Sequence, residues 1–375
     1  MKETNQKIMI DKKVFYKNLA RLALPIALQS LMLASVAAGD ALMLGKVAQN
    51  EMTAVSLATQ IQFVQNMFLG AITAAGAILG AQYWGKGDRH TLEDIFNIIL
   101  RFCGAVSILF FLACELIPEQ LMHIFANEAS LIAIGSSYLR IAGWSYLLTG
   151  ISQCYLTMMK VSEHVKPGAF ISSCAVLLNI GLNAVFIFGL LGAPRMQARG
   201  AALATTISRI VELILCVAVS SGKTYIRPAL DRLIKLPKLL KADFVKQCLP
   251  LLGGSLCWGI GFTSYTAIMG HMGTDAAAAN SVDAVVRDLI CCMCNGIGMA
   301  AGIMVGNELG AGRLDLGKAY GIKLKNMSYI IGFLSTALVL AMTPLMVKMV
   351  ILTDQAREYL TGMMVIMSIY MIGRC

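Results

Sequence analysis

The sequence predicts an all-α polytopic membrane protein made of two parallel six-helix repeats, the second incomplete, with about ten spans present. Three observations carry this prediction. Of 375 residues, 57% are hydrophobic and 14% charged, with mean hydropathy +0.71, which leaves too little polar surface to clothe a water-soluble globule. The apolar residues gather into runs at 19–44, 54–83, 95–117, 131–159, 167–191, 200–220, 245–270, 277–306, 320–347 and 356–375. Each run is long enough, or nearly so, to cross ~30 Å of hydrocarbon as a helix rising 1.5 Å per residue. Finally, the chain repeats itself at an offset of 225 residues, which brings Leu24-Pro25 onto Leu249-Pro250, Ser30-Leu31 onto Ser255-Leu256, Gly45 onto Gly270 and Ala54 onto Ala279. The same shift superposes Ser56 on Ser281, Ile72 on Ile297, Ala75 on Ala300, Ile78 on Ile303, Gly85 on Gly310 and Gly87 on Gly312. About one position in five matches from Leu24 to Gly87, against roughly one in fourteen expected from composition, and the matched prolines and glycines fall where helices end or turn.

The first run sets the register of the rest. From Leu22 to Leu44 its single ionisable residue is Asp40, in Val36-Ala37-Ala38-Gly39-Asp40-Ala41-Leu42-Met43-Leu44-Gly45. An acid inside a span costs roughly 2.5–3.5 kcal/mol at the helix centre and less near the interface, so its default reading is a functional group facing a polar cavity. The alternative is a helix-end carboxylate with no task. Twenty Lys and Arg residues occupy the N-terminal segment and the alternate connections after it, against five in the opposite set, which predicts a cytoplasmic N-terminus and a plasma-membrane location. The polar, basic start and the length of the first run predict no cleaved signal peptide.

The organisation follows as an N-terminal six-helix lobe over 1–220, a cytoplasmic linker over 221–244 and an incomplete C-terminal lobe over 245–375. The linker interleaves Lys223, Arg227, Arg232, Lys235, Lys238 and Lys241 with leucines and Ile234, a pattern that suits a basic amphipathic helix at the membrane surface or a solvated hinge. Since each repeat holds an even number of spans, the copies are related by an axis along the membrane normal. Pro118 and Pro344 match at an offset of 226, so Cys375 corresponds to Thr149 and residues 150–222 have no counterpart. The second repeat therefore reads as C-terminally truncated.

Polar residues inside the spans are few. Gln62, Gln65 and Asn66 share a face of the second run, Asn179 and Asn183 stand one turn apart in the fifth, and Thr205 lies early in the sixth. Asp40, Gln62, Asn179, Asn183 and Thr205 could line a cavity that solvates a cation; the alternative is interhelical hydrogen bonding, worth about 0.6–2 kcal/mol per bond. In the second repeat, Asp283 and Arg287 are secondary candidates for cation or substrate binding, and their i, i+4 spacing also suits a structural ion pair. Glu212 and Arg209 stand too near the cytoplasmic end to rank as site residues. Many of the 23 methionines are expected to line apolar spans. The eleven cysteines show no metal-ligand spacing and read as buried packing, so no metal is predicted. Net charge +10 follows from topology, and no nucleic-acid binding is read from it. No nucleophile constellation or phosphate-binding glycine loop points to an enzyme or a cofactor.

These pieces together resemble the multidrug and toxic compound extrusion (MATE) family. The matching segments are Leu24-Pro25 with Gly39-Asp40 and Gly45; Gly80-Ala81-Gln82-Tyr83-Trp84-Gly85-Lys86-Gly87; Asn179 to Gly189; Gly200 to Thr205; and Gly306-Asn307-Glu308-Leu309-Gly310-Ala311-Gly312. The resemblance implies a transporter of two six-helix lobes that exports cationic or amphiphilic compounds in exchange for protons or sodium. It places the family's first-span aspartate on Asp40, its fifth-span asparagine on Asn179 and its sixth-span Ala-Thr pair on Ala204-Thr205. Asn183 stands where some members carry a second carboxylate, and Trp258-Gly259-Ile260-Gly261 lacks the seventh-span glutamate of others; both departures weaken a sodium assignment. The expected partners are small organic cations and membrane lipids, and the chain, if full length, is expected to be a monomer. A lipid-linked precursor flippase and a non-transporting remnant are the other readings.

Overall fold

The computed structural model describes residues 12–45, 49–126, 128–222, 224–229, 232, 237–272, 274–349 and 354–374, with the side chains of 34–42 and some others in 191–349 outside the described set. Among the described residues the chain is helical and contains no strand. In order come α1 (Lys12–Gly45), α2 (Gln49–Lys86), α3 (Arg89–Leu116), α4 (Pro118–His123), α5 (Ala129–Val161), α6 (Val165–Phe188), α7 (Gln197–Ser220), α8 (Lys238–His271), α9 (Thr274–Gly310), α10 (Leu314–Met349) and α11 (Asp354–Arg374). The long helices follow the ten apolar runs one for one, and α4 is an additional short turn before α5. Among the described residues, six helices are long and apolar enough to cross a membrane by length and composition alone, within α2, α3, α6, α7, α9 and α10.

Helix is the outcome that hydrocarbon dictates, because every backbone donor and acceptor must be satisfied within its own segment. Interior prolines are the local exceptions. Pro25 in α1, Pro250 in α8 and Pro344 in α10 each lack an N–H and leave one carbonyl a turn earlier without its usual donor. The first two are duplicates of each other. Polar caps set the ends outside the membrane: Asp88 accepts from the Thr91 N–H at 3.0 Å and from its hydroxyl at 2.7 Å, which starts α3 just after Gly87 turns at φ +79°.

The described helices pack as two compact units. One contains residues 32–84 and 88–256. Its core has two apolar clusters. Leu92, Ile95, Phe96 and Ile99 of α3 meet Leu69, Ile72 and Leu79 of α2 and Cys154, Met158 and Val161 of α5. Val55, Ala58 and Ile61 of α2 meet Tyr138, Leu139 and Tyr146 of α5 and Ala198, Ala201 and Ala202 of α7. The first half of α8 joins the first cluster through Phe244, whose ring stacks on Phe102 at 5.5 Å.

The other unit contains Gly85–Gly87, the described residues up to Leu31 and those from Cys257 onward. Ala279, Val286 and Ile290 of α9 and Val339 of α10 pack with Leu360, Met364, Met367 and Met371 of α11, so methionine fills apolar space there as expected. Phe15 of α1 meets Tyr320 of α10 edge to face at 5.1 Å, with the Lys323 ammonium 4.0 Å from its ring.

The linker differs from a solvated hinge. Residues 224–229 are irregular chain and α8 begins at Lys238, while 230–231 and 233–236, where much of the amphipathic helix is expected, lie outside the described residues. Ile226 is buried, the Tyr225 ring lies 4.7 Å from His164, and the Asn97 amide of α3 donates to the Ala229 carbonyl at 2.8 Å. Arg232 then reaches the start of α3, donating to Glu93 at 2.7 Å and to the buried Asp94 at 3.0 Å, beside His90. Charge complementarity draws the described part of this segment onto α3. Arg232→Ala leaves Asp94 without its main cation and is expected to ease opening of the segment by about 1–3 kcal/mol. Faster amide exchange over 225–229 checks this; unchanged exchange there would mean that the ion pairs do not hold the linker.

Candidate cation and substrate site

The polar residues of α6 and α7 are brought together by the way the two helices are joined. After α6 ends, Gly189 turns at φ +73°, a short 3-10 turn follows at Leu190–Gly192, and Glu51 of α2 accepts from the Ala198 N–H at 2.9 Å in the first turn of α7. That carboxylate meets the positive end of the helix. Gly200 lies against the Phe186 backbone, where a Cβ would come within 2.8 Å of the carbonyl oxygen, so its lack of a side chain lets α7 approach α6.

Along this seam three side chains form one hydrogen-bonded chain. Asn183 Nδ2 donates to Asn179 Oδ1 at 3.1 Å, Asn179 Nδ2 donates to Thr205 Oγ1 at 3.2 Å, and Thr205 Oγ1 donates to the Ala201 carbonyl at 3.0 Å. Both asparagines are buried and Thr205 is half-buried. The structure thus joins three of the five residues singled out in the N-terminal half. Asp40 is on α1, and its side chain lies outside the described residues. Gln62 is half-buried and outside this chain. Its neighbour Gln65 is the buried one, donating to the Tyr146 carbonyl at 2.9 Å and to Ser107 at 3.2 Å, and so tying α2 to α5 and α3.

A second polar node lies further along the same seam. Ser172 is seven residues before Asn179 on α6, and Glu212 is seven residues after Thr205 on α7. Glu212 is 0% exposed; it pairs with Arg209 at 2.7 Å and accepts from Ser152 of α5 at 3.2 Å and from Ser172 at 3.5 Å. Lys160, at the end of α5, adds a second positive charge that acts on it. Nearness to the basic linker argues against Glu212 in the sequence, yet it lies about two turns inside the linker end of α7 and is fully buried. Its i−3 arginine is the signal the sequence offers.

In the other unit, Asp283 and Arg287 do not pair. Arg287 bonds Asp288 at 3.2 Å and lies over the Phe262 ring of α8 at 4.4 Å. The pull of that ring and of Asp288 replaces the i, i+4 pair that spacing suggests. Among the described residues there is no group of three or more metal-ligating side chains.

Comparison with known proteins gives a consistent likeness. The family model described as MatE matches residues 25–185. A probable multidrug resistance protein NorM of Bradyrhizobium diazoefficiens is 27% identical over 296 residues, covering 77% of this chain and 62% of the relative. The protein of the same description from Pasteurella multocida is 28% identical over 345 residues, covering 88% of this chain and 71% of the relative. The chain thus spans about three fifths to seven tenths of such relatives. Among solved structures, a mutant of the Vibrio cholerae MATE transporter VcmN superposes with TM-score 0.87 at 16% identity, covering 96% of this chain and 81% of that one. A MOP superfamily transporter from Pyrococcus furiosus, described as having a binding pocket of reverse polarity, gives 0.83 at 14% identity, covering 96% and 79%.

Proposed function

Because the chain belongs to the multidrug and toxic compound extrusion family, we propose that it exports cationic or amphiphilic small molecules in exchange for protons. The observation that carries this reading is the hydrogen-bonded chain Asn183–Asn179–Thr205 between α6 and α7, whose three members are all uncharged. Neutral amide and hydroxyl dipoles of this kind solvate a charge without adding one of their own. Asp40 supplies the charge. As a carboxylate it holds an organic cation; a proton arriving from outside neutralises it and frees the cation, so the two ligands compete for one group. Gln62 adds a further amide from α2. The asparagine in place of a carboxylate at 183 supports protons over sodium, a hard cation that needs several oxygen ligands. The plasma membrane, a cytoplasmic N-terminus and a monomeric transporter belong to the same reading.

The test is proton-driven uptake of a lipophilic fluorescent cation into vesicles that hold the reconstituted chain. Asp40→Asn is expected to abolish it with membrane insertion intact. Asn179→Ala is expected to slow it about 3- to 30-fold, the equivalent of losing a hydrogen bond worth about 0.6–2 kcal/mol. Unaltered uptake by Asp40→Asn would sink the proposal.

A further inference from the structure

The helices of the second repeat hold a carboxylate that the exchange at Asp40 does not use. Asp283 on α9 is 4% exposed, and its Oδ1 has no hydrogen-bond partner among the described residues. One turn earlier, Asn280 is 8% exposed and its Oδ1 is in the same position. The cation nearest in sequence is committed elsewhere, since Arg287 is held by Asp288 and by the Phe262 ring. Two buried acceptors without a donor are costly in an apolar helix bundle. Residues three apart on a helix have Cβ atoms roughly 5–6 Å from each other, within reach of an Asp and an Asn side chain.

One proton resolves both. Placed on Asp283 Oδ1, it makes that atom a donor, and Asn280 Oδ1, three residues earlier on the same helix, is the acceptor that this spacing offers it. We propose that Asp283 and Asn280 form a second proton-binding site in the C-terminal lobe. The one bond formed is O–H on Asp283, the proton comes from the aqueous phase and returns to it, and no other atom changes. A metal ion suits the place less well, since it would need several further oxygens within a turn of the Arg287 guanidinium.

The internal duplication lends an independent argument. At the offset of 225, Asp40 falls on Tyr265, Gln62 on Arg287 and Ala58 on Asp283. The second copy therefore carries its acid one helix later, with a tyrosine in the place of the first copy's aspartate. The groups that act electrostatically on Asp283 are Arg287 and Asp288 of its own helix, and the Tyr265 hydroxyl of α8 feels its charge in turn. The buried groups of α10 and α11 that pack near α9 include Val339, Leu360, Met364, Met367 and Met371, with the hydroxyl of Ser335 3.9 Å from Cys294 Sγ. The cation at the end of α11, Arg374, acts on Cys291 and stands 5.7 Å from the Trp258 ring.

A role for this proton in transport rests on the proton-exchange reading, but the site itself can be tested apart from it. Infrared difference spectra of the full chain in lipid are recorded between alkaline and mildly acidic buffer, about pH 5, where water-exposed aspartates stay mostly ionised. The expected result is a carboxyl C=O band that Asp283→Asn removes, that Asp40→Asn leaves in place and that Asn280→Val shifts in frequency. Asp283→Glu should move the band and covers the case in which the asparagine variant does not fold. Spectra of Asp283→Asn that superpose on wild type, or a band indifferent to Asn280→Val, would overturn the proposal. Failure of the Asp40 reading looks different: uptake persists in Asp40→Asn whether or not the Asp283 band is present.

Discussion

Glu212→Leu is expected to destabilise the unit that holds α2 to α7 by about 3–5 kcal/mol, the usual cost of removing one partner from a buried ion pair. The carboxylate is fully buried between three helices, with Arg209 on α7, Ser152 on α5 and Ser172 on α6 as its partners. Leucine fills the space but leaves Arg209, whose side chain is only 14% exposed, facing two hydroxyls and the charge of Lys160 with no anion. Glu212→Gln keeps an acceptor for both serines and loses only the charge, so it should fall between wild type and leucine. The double variant Glu212→Leu/Arg209→Leu removes both charges and should recover most of the loss, because burying a pair is itself close to break-even. Thermal and denaturant unfolding in detergent reads all three. A leucine variant within about 0.5 kcal/mol of wild type, the range of an ordinary surface substitution, would show that the ion pair holds nothing.

The consequence for the candidate site is one of register. Ser172 and Glu212 meet seven residues from where Asn179 and Thr205 meet, on the same pair of antiparallel helices. A rotation or slide of α7 that breaks one contact moves the other. The Glu212 node therefore fixes the alignment in which Thr205 faces Asn179, and Glu212→Leu should weaken uptake as well as stability.

What can be read from the sequence follows from constraints that act on the chain locally. Hydrocarbon thickness sets the length of an apolar run, which is why the runs anticipate the long helices. Helical periodicity puts Asn179 and Asn183 one turn apart, which is why their mutual bond is legible from spacing alone. Partners on different helices are not. Thr205 lies 26 residues from Asn179, and the sequence offers both as lining of one cavity without pairing them. Glu212 escapes a sequence ranking because distance along the chain from a basic segment says nothing about depth in a bundle. Arg287 shows the opposite failure: a sound local rule predicts a partner at i−4, and an aromatic ring on another helix takes the guanidinium away. The linker's approach to α3 depends on charges some 140 residues apart, Arg232 against Glu93 and Asp94, which no window along the chain can pair.

Gly85→Ala is the second change expected to have a large effect, and the reason is backbone geometry. Gly85 lies in the last turn of α2, next to the carbonyl of Asn307 near the end of α9. A Cβ built there would fall 1.9 Å from that oxygen, 2.6 Å from its carbon and 2.7 Å from the Asn307 Cα. A clash with a side chain can be relieved by a change of rotamer, whereas this one requires a helix end to move. Overpacking in a close-packed interior costs about 1–3 kcal/mol, and the backbone contact puts Gly85→Ala at or above the upper end of that range. Gly70, also in α2, is the control, since a Cβ there meets nothing within 4 Å. Gly70→Ala should be neutral or stabilising by up to about 1 kcal/mol through helix propensity. Unfolding of the two variants side by side separates the mechanisms: equal stability would refute the close approach, and loss confined to Gly85→Ala would show that the ends of α2 and α9 meet backbone to backbone at Gly85 and Asn307.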